Sequence, residues 1–154
     1  MTSENTIDRL YYRKVSRTGE ELIPYEDHLI LMEENKYNTL LLIIDETGAY
    51  NVKFSKNIKR IHFVDFILLY TILMGEKPVT NTIICEKSFN YYDPNHMYEP
   101  KETNVRKELN RLKNEIPFWD EIIETSRIGR KTGRTLKHGL KFFVVCKVWD
   151  QLPD

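Results

Sequence analysis

Four aliphatic residues, Val105, Leu109, Leu112 and Ile116, follow one another at spacings of 4, 3 and 4, and Pro117 comes directly after them. On a helix that spacing stacks them into one seam, and a seam of this kind has to be buried. The pattern predicts a helix over 103–116, with Thr103 as its N-cap and Pro117 as its stop. Two further helices are expected before it. In the run IHFVDFILLYTILM, positions 61, 64, 68 and 72 form one stripe, and 63, 66, 67 and 73 widen it. That is the pattern of a largely buried helix over about 61–74. Gly75 is placed to cap its end and Thr80 to start a short helix over about 80–88.

The N-terminal third reads as β structure. Residues 1–27 are taken as a polar tail with first strands at Leu10–Val15 and Glu21–Tyr25 around the turn chemistry of Ser16 to Glu20. Three runs follow, HLILME, YNTLLLIID and AYNVKFS, separated by Glu34-Asn35-Lys36 and by Glu46-Thr47-Gly48. Tyr50, Val52 and Phe54 alternate with polar residues, whereas LLLII does not alternate. An antiparallel sheet over 28–55, with the middle run at its centre, is the expectation. Beyond Pro117, Ile122 and Ile123 open a strand and LKFFVVCKVW closes the chain as another, giving a hairpin over 122–149 and a domain over 28–150.

Charge separates the halves of this neutral chain. Residues 1–100 hold 11 Lys/Arg against 15 Asp/Glu, while residues 101–147 hold 12 against 6. Between Thr125 and Trp149 there is no acidic residue at all. A basic segment in a neutral protein points to a polyanionic partner. On the helix, the face opposite the seam carries Asn104, Arg106, Lys107, Asn110, Arg111, Lys113 and Asn114. Arg and Lys donate to phosphates and to guanine, and Asn pairs with adenine, so this face suits the major groove. Most charge runs are merely solvated, and Glu108 and Glu115 are out of character with a groove surface. The hairpin shifts the balance: Arg127, Arg130, Lys131, Arg134 and Lys137, with Gly129, Gly133 and Gly139 between and after them, suit a phosphate backbone or a minor groove.

The segments IHFVDFILLYTIL, GEKPVTNTII, NVRKELNRLKNEI, IIETSRIG and HGLKFF together resemble the winged-helix DNA-binding domain of OmpR/PhoB-type response regulators, over roughly residues 38–145. The resemblance implies an α+β winged helix-turn-helix fold with an N-terminal antiparallel sheet, three helices and a C-terminal β-hairpin wing. It further implies a DNA-binding transcriptional regulator whose helix 103–116 enters the major groove. The sequence departs from that pattern in having no receiver domain, an insertion RKTGRTLK in the wing, and a long loop from Phe89 to Pro100. In the family that loop region can contact RNA polymerase; here its aromatics, Tyr91, Tyr92 and Tyr98 among them, either pin the loop to the core or offer a surface to a protein partner.

Other functions find less support. His28, His62, His96 and His138 are scattered, and no phosphate loop or nucleophile elbow is present, so no enzyme is expected. Cys85 and Cys146 form no C-x-x-C pair, so no metal or other cofactor is expected and a reducing cytoplasm is. No run reaches membrane-spanning length. The partners expected are double-stranded DNA, RNA polymerase or another protein through loop 89–100, and a second copy in a homodimer. A protein-interaction adaptor and a plasmid or phage replication-initiation protein are the alternatives.

Overall fold

The computed structural model describes residues 11–92, 102–148, 150 and 152. In chain order the elements are β1 (Tyr11–Ser16), β2 (Gly19–Pro24), α1 (Tyr25–Glu33), β3 (Thr39–Ile44), β4 (Tyr50–Phe54), β5 (Asn57–Ile61), α2 (Phe63–Met74), β6 (Val79–Thr80), α3 (Asn81–Tyr92), α4 (Glu102–Glu115), α5 (Trp119–Ile122), β7 (Ile123–Ile128), β8 (Lys131–Leu136) and β9 (Lys141–Lys147). They fall into two compact units, one of residues 1–61 with 141–154, the other of residues 62–140.

The first unit is built around β3. Its sequence TLLLII has no polar alternation, so both faces need cover, and it takes an interior place in a six-stranded sheet of order β2-β1-β9-β3-β4-β5. Leu40 through Ile44 are all buried. At about 1.5–3 kcal/mol per large aliphatic side chain, this one strand outweighs any single polar contact in the unit. The hairpin β1–β2 forms around the expected turn, with Ser16 paired to Gly19, and β3–β4 turns through Gly48 at φ 81. Asp45 organises that second turn: its Oδ1 accepts the Thr47 N–H at 2.9 Å and the Ala49 N–H at 3.0 Å. Lys53 is buried, and its Nζ donates to the carbonyls of Glu34 and, at 2.8 Å, Ser55.

The second unit packs α2 against α3 and α4 beside a three-stranded sheet of order β6-β8-β7. α2 is apolar nearly all round and is correspondingly buried from Phe66 to Tyr70 and again at Ile72 and Leu73. Thr80 Oγ1 accepts the Ile83 N–H at 3.4 Å, which caps α3 as expected. The seam Val105, Leu109, Leu112, Ile116 is at most 2% exposed at each position. Gly129, at φ 63, takes the first position of the two-residue turn between Ile128 and Lys131, where a positive φ is required. Gly133 serves a different purpose. A Cβ there would come within 2.8 Å of both Ile128 Cδ1 and Pro78 Cβ, so its missing side chain lets β8 lie close to its neighbours.

The expected fold class is not the one observed. In place of an antiparallel sheet, three helices and a C-terminal hairpin, the protein has a six-stranded sheet, a separate three-stranded sheet and five helices among the described residues. HLILME is not a strand but part of α1. A short apolar run fits either element, and here Pro24 followed by Glu26 and Asp27 in the first turn favours helix. The helix lays Leu31 and Met32 on Leu41, Ile43 and Val145 and leaves Leu29 and Ile30 exposed. The last strand does not complete a 122–149 hairpin either. That hairpin closes within 123–136, so RKTGRTLK is no insertion but its return strand. β9 instead crosses to the first unit, parallel to β3 and antiparallel to β1, which makes the large sheet mixed. A hydrophobic strand such as FFVVC satisfies its two faces best inside the larger sheet, between two others. Of the loop expected from Phe89 to Pro100, residues 89–92 belong to α3 instead, and 93–101, with Tyr98, lie outside the described residues, as do residues 1–10.

One titration is readable here. His28 is buried and stacked on Tyr12, with ring centroids 3.8 Å apart and planes at 3°, and its Nδ1 has no partner among the described residues. Burial holds its pKa below the ordinary 6.5. The unfolded chain therefore takes up this proton first as pH falls, and the stability that neutral His28 supplies is full above 6.5 and lost as pH falls from there toward the folded value. His28→Phe keeps the stacked ring. Urea denaturation at a series of pH values between neutrality and mild acid is expected to show a shallower loss of stability for this variant than for the natural protein.

Candidate nucleic-acid interface

The seam decides which way α4 faces. With Val105, Leu109 and Leu112 inward, Arg106, Lys107, Asn110, Lys113 and Asn114 are exposed. Arg106, Asn110 and Asn114 follow one another at i, i+4, i+8, so they share one side of the helix. Asn104 is half-buried.

Arg111 does something else. Its Nη2 meets Asp65 Oδ1 on α2, its Nη1 lies 3.3 Å from Asp65 Oδ2, and Glu108 and Glu115 take the same guanidinium at 2.7 and 2.9 Å. Asp65 is fully buried in an otherwise apolar helix, where an unpaired carboxylate is strongly disfavoured. The hydrogen bond from Arg111 to Asp65, then the one to Glu108, raise the arginine's pKa. Asp65 Oδ2 also accepts the His62 N–H at 3.3 Å, at the positive end of α2. The two glutamates that looked foreign to a groove surface thus belong to Arg111, and Arg111, itself half-buried, is tied to the buried carboxylate of its unit. An acid inside IHFVDFILLYTILM was the sequence signal for this, since it needs a cation from elsewhere.

The hairpin supplies the second wall. In β7 and β8 the pairs Ile123–Leu136, Thr125–Arg134 and Arg127–Thr132 stand opposite one another and share one face. That face is apolar and buried at its base, through Ile123 and Leu136, and basic toward its tip. Asn81, Arg106, Asn110, Arg127, Arg130, Lys131, Thr132 and Arg134 together line a concavity of about 450 Å³, all within the second unit. Arg134 is half-buried in it and donates to Asn81 Oδ1 at 2.8 Å. Burial first, and the positive charge of Arg106 second, hold the Arg134 pKa below its ordinary value. Lys131 Nζ donates to Thr82 Oγ1 at 2.5 Å.

Six of the twelve candidate residues therefore converge: Arg106, Asn110, Arg127, Arg130, Lys131 and Arg134. Asn104, Lys107 and Asn114 lie on α4 without lining the concavity. Lys113 and Lys137 reach a different neighbour, Asp120, through its carboxylate at 3.9 Å and its carbonyl at 3.3 Å respectively. Asn81 and Thr132 were missed, because a single neutral polar residue at a helix start or in a strand carries no signal of its own. Among the described residues no group of His, Cys, Asp and Glu is arranged to hold a metal ion, and no helix is long and apolar enough to cross a membrane. Cys85 and Cys146 are free and buried, and burial pushes the Cys146 thiol up to about 11. The chain matches no known family, no curated protein and no solved structure.

Arg111→Met keeps an apolar stem but strands Asp65. Breaking a buried ion pair from one side costs about 3–5 kcal/mol, and the partial exposure of Arg111 puts the expected loss near the lower end, about 3 kcal/mol. Asp65→Asn combined with Arg111→Met is expected to recover part of that. A double-mutant cycle by urea denaturation measures both, and a loss below about 1 kcal/mol for the single variant would remove Arg111 from its structural role.

Proposed function

We propose that the second unit binds double-stranded DNA and that the protein is a DNA-binding regulator of transcription. The observation that carries this reading is the convergence of Arg106 and Asn110 from α4 with Arg127, Arg130, Lys131 and Arg134 from the hairpin on one acid-free concavity. In this reading the exposed side of α4, through Arg106, Asn110 and Asn114, reads base edges in the major groove. Lys107 and the hairpin cations hold phosphates. Arg111 takes no part, being committed to Asp65. The likeness of NVRKELNRLKNEI to the recognition helix of OmpR/PhoB-type regulators supports the same assignment. Two free thiols accord with a cytoplasmic setting. Replication initiation would use the same surface. The adaptor alternative would instead use the aromatic loop 89–100 and the acidic N-terminal sheet, and it predicts partner binding that survives neutralising the hairpin cations.

Fluorescence anisotropy on random duplex DNA across a salt series tests the reading. Affinity is expected to fall steeply with salt, and Arg130→Ala is expected to weaken all duplexes alike while reducing the log–log salt slope by about 1. Asn110→Ala is expected to cost about 1–3 kcal/mol on a selected motif and to relax base preference there. Absence of binding at low salt would sink the proposal.

A further inference from the structure

The concavity carries five cationic side chains and three neutral polar ones, and none of its eight lining residues is acidic. Among the described residues no carboxylate pairs with Arg106, Arg127, Arg130 or Arg134, in contrast to Arg111, which has three. A fold that merely displayed basic residues would let them spread into solvent. Here Arg134 is half-buried, pinned by Asn81 and set beside a second guanidinium. The other four cations are exposed around it, and like charges gathered on one concave surface repel. An anion with several negative charges relieves that repulsion at all of them together.

The shape narrows the class of anion. About 450 Å³ lies within the range of small-molecule sites, roughly 300–1,000 Å³, and exceeds what one phosphate fills. The lining is polar rather than aromatic or aliphatic, so it offers no surface for a lipid chain or for the stacking of a base. Arginine forks match phosphate oxygens bidentately, and Asn81, Asn110 and Thr132 add neutral hydrogen-bonding groups between them. We propose that this concavity is a discrete oligophosphate site that takes two or more linked phosphate groups at once, and that free oligophosphate and the DNA backbone compete for it. The site itself is independent of the DNA-binding reading; the competition rests on it.

Isothermal titration of the full chain at low salt, with inorganic tripolyphosphate and with orthophosphate as probes, tests the site. Tripolyphosphate is expected to bind with one-to-one stoichiometry and about tenfold or more tighter than orthophosphate. Arg134→Gln is expected to weaken it about tenfold or more, while Lys113→Gln, at a cation of α4 that lies outside the concavity and reaches Asp120, changes it less than about twofold. Should the Arg134 variant fold poorly, Arg130→Gln at the exposed turn replaces it. Lack of saturable tripolyphosphate binding overturns the oligophosphate site whether or not DNA binds. Equal loss in the Lys113 variant marks a diffuse field and overturns it too. Tripolyphosphate binding that fails to displace duplex DNA at matched ionic strength overturns the competition and leaves the DNA reading standing.

Discussion

The second unit depends on one buried carboxylate. Asp65 sits on an otherwise apolar helix with no exposed surface, and the guanidinium of Arg111 is what makes its charge tolerable there. The apolar seam of α4 provides the larger share of attachment, several aliphatic side chains at about 1.5–3 kcal/mol each. A seam, however, is non-directional and permits small rotations and slides. The Arg111 fork is directional, and by joining Asp65 on one helix to Glu108 and Glu115 on its own it sets the roll of α4. That roll is what turns Arg106 and Asn110 toward the hairpin.

The same division of labour recurs in the hairpin. Ile123 and Leu136 anchor its base in the core, a close approach made available by Gly133 fixes β8, and the cations occupy the part of the same face that remains wet. Stability and charge are thus segregated along one strand pair. Substitutions at the exposed tip are expected to change folding little, whereas those at the base remove buried apolar contacts.

Much of the local structure was legible in the residues. The seam at 105–116, most of the apolar helix expected over 61–74, the Thr80 cap and the turns within 16–20 and 46–48 each rest on interactions among neighbours, which the chain spells out directly. What was not legible was non-local. HLILME reads as strand or helix equally well, and only its packing on Leu41, Ile43 and Val145 decides. The parallel pairing of Leu40–Ile43 with Phe142–Val145 joins segments about a hundred residues apart, and nothing in FFVVC announces its partner. For the candidate site, composition pointed to the helix and hairpin that line the concavity but could not tell Arg111 from Arg106. Their difference is a single carboxylate on another helix.

Placing the last strand inside the large sheet has a kinetic consequence. β9 separates β1–β2 on one side from β3–β4–β5 on the other, so without it no strand pairing joins the two β fragments and their inner edges are open. During synthesis those edges stay unpaired until residues 62–140 have emerged and Lys141–Lys147 arrives. Closing so long a loop is entropically costly when the intervening chain is unfolded, and cheaper once it has condensed. The basic unit is thereby positioned to fold first, and the order in which the chain matures is dictated by which strand fills the gap.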